Sequence, residues 1–213
     1  MMLQASAALR WLTTEKPDLD KVRTILTGIV GAGRHAGEII AGVRAMFKKG
    51  ESAKAAINLN NLVNTVLVLL RVDLQKDDVR VETRLDDQLP AVIGDPVQLQ
   101  QVILNLIVNA ADAMRGVERR LMKIETSWVP SGMIRVSIED TGPGIRDADR
   151  DRIFEPLFTT KSSGMGMGLS ICRSIIENHG GTISVAAGAE KGTIFCFELP
   201  TAAQTAAPAE LAA

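Results

Sequence analysis

A chain of 213 residues, 46% hydrophobic and 23% charged, is long enough for one full core plus a smaller appendage. Its net charge of −1, with acids and bases interspersed, excludes an electrostatic footprint for nucleic acid or an anionic membrane surface. No apolar run approaches the roughly 20 residues that span a bilayer, and Met1 to Leu12 lacks a signal-peptide layout, so no membrane contact and a cytoplasmic location are expected.

Leu3 to Leu12 reads as a short helical piece that stops near Pro17 and Asp18. From Asp18 to about Lys49, apolar residues recur at Val22, Ile25, Ile29, Ala36, Ile40, Val43 and Phe47, which places them on one helical face. Residues 1–50 are therefore expected to form a helical hairpin. Its long arm carries Gly28, Gly31, Gly33, Gly37 and Gly42 and cannot bury its stripe alone, so it should pair with a second copy in a homodimeric bundle.

After the polar break from Lys48 to Lys54 the pattern changes. It predicts a helix over Leu59 to Leu74, a strand near Val79 to Leu85 and a helix after Gly94. Strands follow at Leu121 to Trp128 and Met133 to Glu139, a helix at Gly168 to Asn178, and strands at Thr182 to Ala187 and Thr193 to Leu199. Strands in neighbouring pairs favour a mixed sheet, so residues 55–200 are expected to form an α+β two-layer sandwich of sheet on helices. The alanine-rich stretch 201–213 is expected to be a disordered tail. Cys172 and Cys196 lack metal-ligand spacing and are expected to be reduced core thiols.

Two glycine clusters carry the chemistry: DTGPGI at Asp140 to Ile145, and GMGMGLS at Gly164 to Ser170. Glycine permits positive φ and close approach of backbone to a ligand, although either cluster alone could be a surface turn. Upstream, Asp95-Pro96-Val97-Gln98 is a strong helix start, with Asp95 as cap and Gln98 able to close a capping box. On that helix Leu99, Val102, Leu106, Ala110 and Ala113 share a broad face, flanked by a polar stripe of Gln101, Asn105, Asn109 and Asp112. Two poor helix formers one turn apart point to ligation, and neutral amide oxygens suit Mg²⁺ bound alongside phosphates; a pair of satisfied polar residues at a core rim is the alternative.

Asp140 ends an apolar strand with its carboxylate little obstructed, placed to accept from an exocyclic amine or simply to make a turn. Ile153, Phe154, Leu157 and Phe158 read as an apolar latch, with Lys161 beyond it as a cation that can reach a phosphate. Gly164, Gly166 and Gly168 lead into a helix whose N-terminal N–H groups favour an anion. No strand runs directly into these glycines, which excludes the dinucleotide-binding fingerprint.

The boxes NLIVNAADA (Asn105 to Ala113), DTGPG, FEPLFTTK, GMGMGLS and KGTIF (Lys191 to Phe195) stand in the order found in the ATP-binding domain of sensor histidine kinases. The chain resembles that family over about Asn58 to Pro200, most closely its nitrogen-regulation and oxygen-sensing type. The resemblance implies the Bergerat ATP-binding fold shared with gyrase, Hsp90 and the mismatch-repair ATPases. It implies ATP and Mg²⁺ as cofactors, with Asn109 on the metal helped by Asn105, and both catalytic together with Lys161. It places Asp140 on the adenine amine and Gly142, Gly144 and Ile145 along the base. Lys161, Gly164, Met165, Gly166, Met167, Gly168 and Leu169 would hold the phosphates, Asp112 would border the site, and Thr193 would support the adenine end. Arg146 to Met167 would be the lid over the nucleotide, and a response regulator receiver domain would be a partner.

In the ATPase branches a Glu stands one turn before the metal-binding Asn. Here that position is Asn105, and an amide is no general base, so transfer to a nucleophile such as neutral imidazole is favoured over hydrolysis. Family members carry the acceptor in an HExxxP pattern that is absent here, and Ala7 to Leu12 resembles the segment beyond it. The acceptor is therefore expected outside this sequence, in a longer or full-length kinase chain, with the hairpin truncated. His35 reads as a helix-surface residue, and His179 as a residue near a helix C-terminus where positive charge is favourable. Arg146 stands where proline is common and Asp112 where many kinases have Lys. The alternatives are a clamp-type ATPase, and a non-catalytic dimerising fragment that binds kinase or response regulator.

Overall fold

The structure is a computed structural model that describes residues 6, 9–13, 18–26, 28–29, 54–160, 166–188 and 191–206. The chain divides into two compact units, Met1–Lys48 and Lys49–Ala213. In the first, helix α1 includes residues 9–12 and helix α2 includes 19–26 and 28–29. Asp18 caps α2: its Oδ1 accepts from the Lys21 amide at 3.0 Å, and this bond holds its carboxyl below the usual carboxylate value. Val22 is buried, while Leu9, Leu12, Leu19 and Leu26 are exposed. The rest of the long arm expected to Lys49 lies outside the described residues.

The second unit begins with β1 (Ala55–Ile57) and α3 (Leu59–Lys76). Asn58 caps α3 by accepting from the Asn61 amide at 3.2 Å. Leu59, Val63, Val66, Leu70 and Leu74 form its buried stripe at three- and four-residue spacing. Then come β2 (Arg80–Leu85), β3 (Val92–Gly94) and α4 (Pro96–Ala113), followed by β4 (Leu121–Trp128) and β5 (Met133–Asp140). Last are α5 (Gly168–Asn178), β6 (Thr182–Ala187), β7 (Thr193–Pro200) and α6 (Ala202–Ala206). The main sheet has order β2-β4-β5-β7-β6, with β2 and β4 parallel and the remaining pairs antiparallel. The unit is the expected α+β sandwich with a mixed sheet on helices.

Alternation decides which face of the sheet is covered. Ile134, Val136 and Ile138 on β5 are fully buried, as are Ile124 on β4 and Phe197 and Leu199 on β7; Leu99, Val102, Ile103, Leu106 and Ile107 are buried on α4, which packs on β5, while α5 packs on β7. Each such side chain contributes about 1.5–3 kcal/mol on burial. The opposite face is polar and laced with ion pairs, among them Arg135–Glu198 at 2.6 Å and Lys123–Glu139 at 3.2 Å. Cys196 lies on that face beside Arg135 and Glu198, not in the apolar surroundings expected of it.

Three features differ from the sequence expectation. β1 and β3 pair antiparallel in a separate two-stranded sheet, with Ala55 opposite Gly94, and three residues are too few to show an alternation. Thr201 bridges to Val92, and α6 follows where a disordered tail is expected from 201. The Ala202 amide donates to the Ala91 carbonyl at 2.8 Å and the Gln204 side chain to the Ser131 carbonyl at 3.0 Å, so tertiary partners hold a stretch with no apolar pattern of its own.

Candidate functional site

One end of the site forms where β5 ends beside the start of β7. Asp140 is 1% exposed, and its Oδ1 accepts from the Gly142 amide at 2.8 Å. Burial pushes its pKa above the ordinary 3.8, opposed by the amides of Gly142 and Thr193, which both bond the carboxylate, and reinforced by Glu139. The loop is tied from below: the Thr141 hydroxyl donates to the Arg119 carbonyl at 2.6 Å and accepts from the Leu121 amide at 3.0 Å. A Cβ on Gly142 would lie 3.0 Å from the Ala113 carbonyl, so the loop packs on the last turn of α4. Gly192, at φ +103°, has no room for a side chain against the Asp140 carbonyl, and its own carbonyl lies 3.2 Å from where a Cβ of Gly144 would stand. Asp140, Gly142, Gly144 and Thr193 are thus brought together, with Ile145 half-buried at the edge. The sequence reading named Thr193 in KGTIF but not Gly192, whose contact with Asp140 is visible only in three dimensions.

α4 carries the other end. Asp95 caps it, Oδ1 accepting from the Val97 amide at 2.9 Å and the Gln98 amide at 3.3 Å. The partner of the Asp95 amide is not Gln98, as a capping box expects, but His179 Nε2 at 3.0 Å. His179 Nδ1 meets the Ile175 carbonyl at 2.7 Å. An amide must donate and a carbonyl must accept, so the ring is held as the tautomer protonated at Nδ1. The expectation of a favourable positive charge at His179 is corrected: this buried ring bridges the start of α4 to the end of α5, with both nitrogens engaged.

Along α4, Asn105 and Asn109 are both half-buried, one turn apart, and Asp112 pairs with Arg115 at 3.2 Å. Asn105 Nδ2 lies 3.8 Å from Cys172 Sγ on α5. Burial lifts the Cys172 thiol to about 12, so it stays protonated and inert. Ala113 lies eight helical steps after Asn105, a span of about 12 Å along the axis, on the scale of an extended nucleotide.

Of the segment expected to form a lid, the first half begins with a clasp. Arg146 Nε donates to Asp149 Oδ2 at 2.6 Å, so the residue that replaces a common proline fixes the start of a short 3₁₀ turn, Asp147–Asp149. Ile153 and Phe154 are buried, and Phe154 meets Phe195 edge to face at 6.4 Å. Leu157 does not join the latch: it is 72% exposed and held at φ +67°. Gly166, at φ +68°, packs its backbone so tightly on the Leu157 and Phe158 backbone that no Cβ fits. Met167 precedes α5 with no side chain capping it, and Gly168 and Leu169 open the helix, so its first amides keep the anion-binding capacity of an uncapped terminus. Lys161, Gly164 and Met165 lie outside the described residues.

Among the described residues no group of three or more His, Cys, Asp or Glu side chains could hold a metal ion. Asn105 and Asn109 on α4 carry amide oxygens, which fit a cation such as Mg²⁺ that keeps waters and arrives with phosphates, rather than an all-protein cage.

A mixed-sheet sandwich with a buried carboxylate at one end, an amide-bearing helix along its length and a glycine-rich entry into a second helix defines a nucleotide-binding domain. The profile of the histidine kinase-, DNA gyrase B- and HSP90-like ATPases matches residues 94–203, and the chain belongs to that family. It is 37% identical over 186 residues to the sensor protein FixL of Bradyrhizobium diazoefficiens, covering 87% of this chain and 37% of FixL. Among solved structures it is similar to the catalytic domain of the histidine kinase ThkA, with 36% identity and a TM-score of 0.64 over 70% of this chain and 97% of that one. The complex of ThkA with the response regulator TrrA matches at 28% identity and a TM-score of 0.69, over 95% of this chain and 57% of that one. Full-length ShkA bound to AMPPNP matches at 26% identity and a TM-score of 0.70, over 84% of this chain and 39% of that one. The domain is the ATP-binding catalytic domain of a sensor histidine kinase, and the chain spans well under half of the length of FixL.

Proposed function

We propose that the chain is the Mg²⁺-ATP-dependent catalytic core of a two-component protein histidine kinase, transferring the γ-phosphoryl group to a histidine on a helical hairpin. The observation that carries this reading is that a buried Asp140 occurs in the same domain as an amide, Asn105, at the position where a hydrolase of the family needs a general base. In this reading Asp140 accepts the adenine amine, Gly142, Gly144 and Ile145 leave room for the base, and Thr193 steadies Asp140 through its amide. The first amides of α5, with Gly166, Met167, Gly168 and Leu169, hold the phosphates together with Lys161, Gly164 and Met165. Asn109, assisted by Asn105, would hold Mg²⁺, and Asp112 borders it. When bound, the ion supplies charge neutralisation of the phosphate oxygens. The protein's own contribution is positioning, exclusion of water and the absence of a base that would activate it.

His179 is unsuited as acceptor, because both of its nitrogens are engaged within the buried domain. In this reading the acceptor is a histidine of a helical hairpin in the HExxxP pattern of the family, carried by a longer kinase chain. The exposed Leu9, Leu12, Leu19 and Leu26 support a homodimer through the N-terminal hairpin, and the complex of ThkA with TrrA supports a response regulator receiver domain as a partner. The reading is of a cytoplasmic protein; among the described residues no helix is long and apolar enough to cross a membrane. The test pairs an ATP titration, with and without Mg²⁺, with radiolabelled transfer to an added hairpin bearing the HExxxP histidine. Binding and transfer are expected. Binding without transfer, or steady phosphate release without an acceptor, would overturn the kinase reading.

A further inference from the structure

Asn105 is tied to the second nucleotide-bearing helix through a single atom. Its Nδ2 lies 3.8 Å from Sγ of Cys172, a residue that is completely buried one turn into α5. The same sulfur lies 4.0 Å from the Val102 carbonyl. A thiol has one proton, and the Val102 carbonyl can take only a donor, so the proton points there and the sulfur lone pairs face Asn105. A lone pair selects the NH₂ end of the amide. With that end committed to α5, the carbonyl end is committed away from it.

We propose that Cys172 is a positioning residue for the reaction: by holding the Asn105 NH₂ against α5, it fixes which end of that amide is offered to the metal-nucleotide complex. The relay runs from the Val102 carbonyl through the Cys172 thiol to the Asn105 amide, and it couples the helix that receives the phosphates to the helix that receives the metal. This deepens the proposed function and rests on its assignment of Asn105 to the metal side of the site. Without the sulfur the amide is free to turn over, and an NH₂ facing a cation repels it.

The experiment uses the 213-residue chain and ATP itself, titrated calorimetrically in MgCl₂ and in EDTA. Cys172→Ala is expected to reduce the Mg²⁺-dependent gain in ATP affinity about three- to tenfold while leaving the affinity in EDTA within about twofold. That loss sits below the ten- to hundredfold usual for groups that hold metal ligands, since sulfur is a weak acceptor. Cys172→Ser, which keeps a small acceptor and a proton for Val102, is expected to retain most of the gain. Asn105→Ala is expected to lose it, and the double variant to lose no more than Asn105→Ala alone. An unchanged Mg²⁺ gain in Cys172→Ala, an equal fall in both media, or additive losses in the double variant would overturn the inference. Should Cys172→Ala fail to fold, nuclear Overhauser contacts between the Asn105 side-chain NH₂ and the Cys172 β-protons in the unaltered protein decide it, and their absence overturns it. If Asn105→Ala itself leaves the Mg²⁺ gain intact, the assignment of Asn105 to the metal fails and this inference with it. Failure confined to the Cys172 variants leaves that assignment standing.

Discussion

Replacing Asp140 with asparagine removes one charge and leaves the shape of the site almost unchanged. In the proposed reading the adenine amine donates to this carboxylate, a bond to a charged group worth about 1.5–3 kcal/mol. Its loss, with an amide NH₂ now facing the amine in one orientation, weakens ATP binding about 12- to 150-fold. The fold should survive. Burial raises the Asp140 pKa, so the native state holds its proton to higher pH than the unfolded chain. The stability of the protonated form is fully present below the ordinary 3.8 and is lost as pH rises through the elevated folded value, after which the ionised group is a constant penalty. The asparagine variant escapes that penalty and gives up one of the two backbone amide bonds, terms of opposite sign. The nucleotide-free Asp140→Asn protein should therefore unfold within about 1 kcal/mol of the parent at pH 7. By the same linkage, the ATP affinity of the parent should fall as pH drops through the raised pKa, and that of the variant should not. Calorimetric titration with ATP beside a urea unfolding curve measures both quantities. An ATP affinity within twofold of the parent would refute the assignment of Asp140 to the base.

The other predictions address single contacts. Asn109→Ala should abolish most of the gain in ATP affinity on adding Mg²⁺ and leave the affinity in EDTA within about threefold; equal losses in both would mean that Asn109 only packs. Gly192→Ala places a Cβ against the Asp140 carbonyl at a φ unfavourable to alanine, and should cost about 2–4 kcal/mol in urea unfolding along with ATP binding. A cost below about 1 kcal/mol would show that the β5–β7 end yields easily. His179→Ala strips the Asp95 amide and the Ile175 carbonyl of their common partner, a loss of about 2–4 kcal/mol by the same assay. Leu157→Gly relieves a left-handed backbone at an exposed site and should raise stability by about 1 kcal/mol; destabilisation would show that the Leu157 side chain contributes packing.

The long elements of the sandwich were legible because their periodicities are unambiguous. The helix opened by Asp95 and Pro96 falls where the cap predicts, and Leu99, Val102, Leu106 and Ala110 on its face are all buried. The mixed sheet follows from strands in adjacent pairs. β1 and β3 escaped notice because three residues carry no period, and α6 because alanine shows no stripe while Ala91 and Ser131 supply its anchors. Within the candidate site, glycine chemistry is a local signal that names Gly142, Gly144 and Gly166 as close-packed positions, and the fold packs each of them against backbone. Gly192, Cys172 and His179 act through partners 52, 67 and 84 positions away, on Asp140, Asn105 and Asp95 respectively, and no local pattern encodes such a meeting. Leu157 departs from expectation for a related reason: hydrophobicity suggests burial, and the backbone turn that expels the side chain is invisible in composition.

The imidazole bridge between Asp95 and Ile175 also bears on how the domain is born. It joins positions 84 residues apart, so it forms only after the chain between them has collapsed into the sheet and its helices. The amide of the residue that caps the helix carrying Asn105 and Asn109 waits for the residue that caps the end of the helix that opens with the glycines. A nascent chain released up to β5 has Asp140 and both asparagines but lacks the ring that sets α4 in place, and it lacks the Thr193 amide that steadies the carboxylate. The proposed nucleotide site is therefore a property of the completed domain.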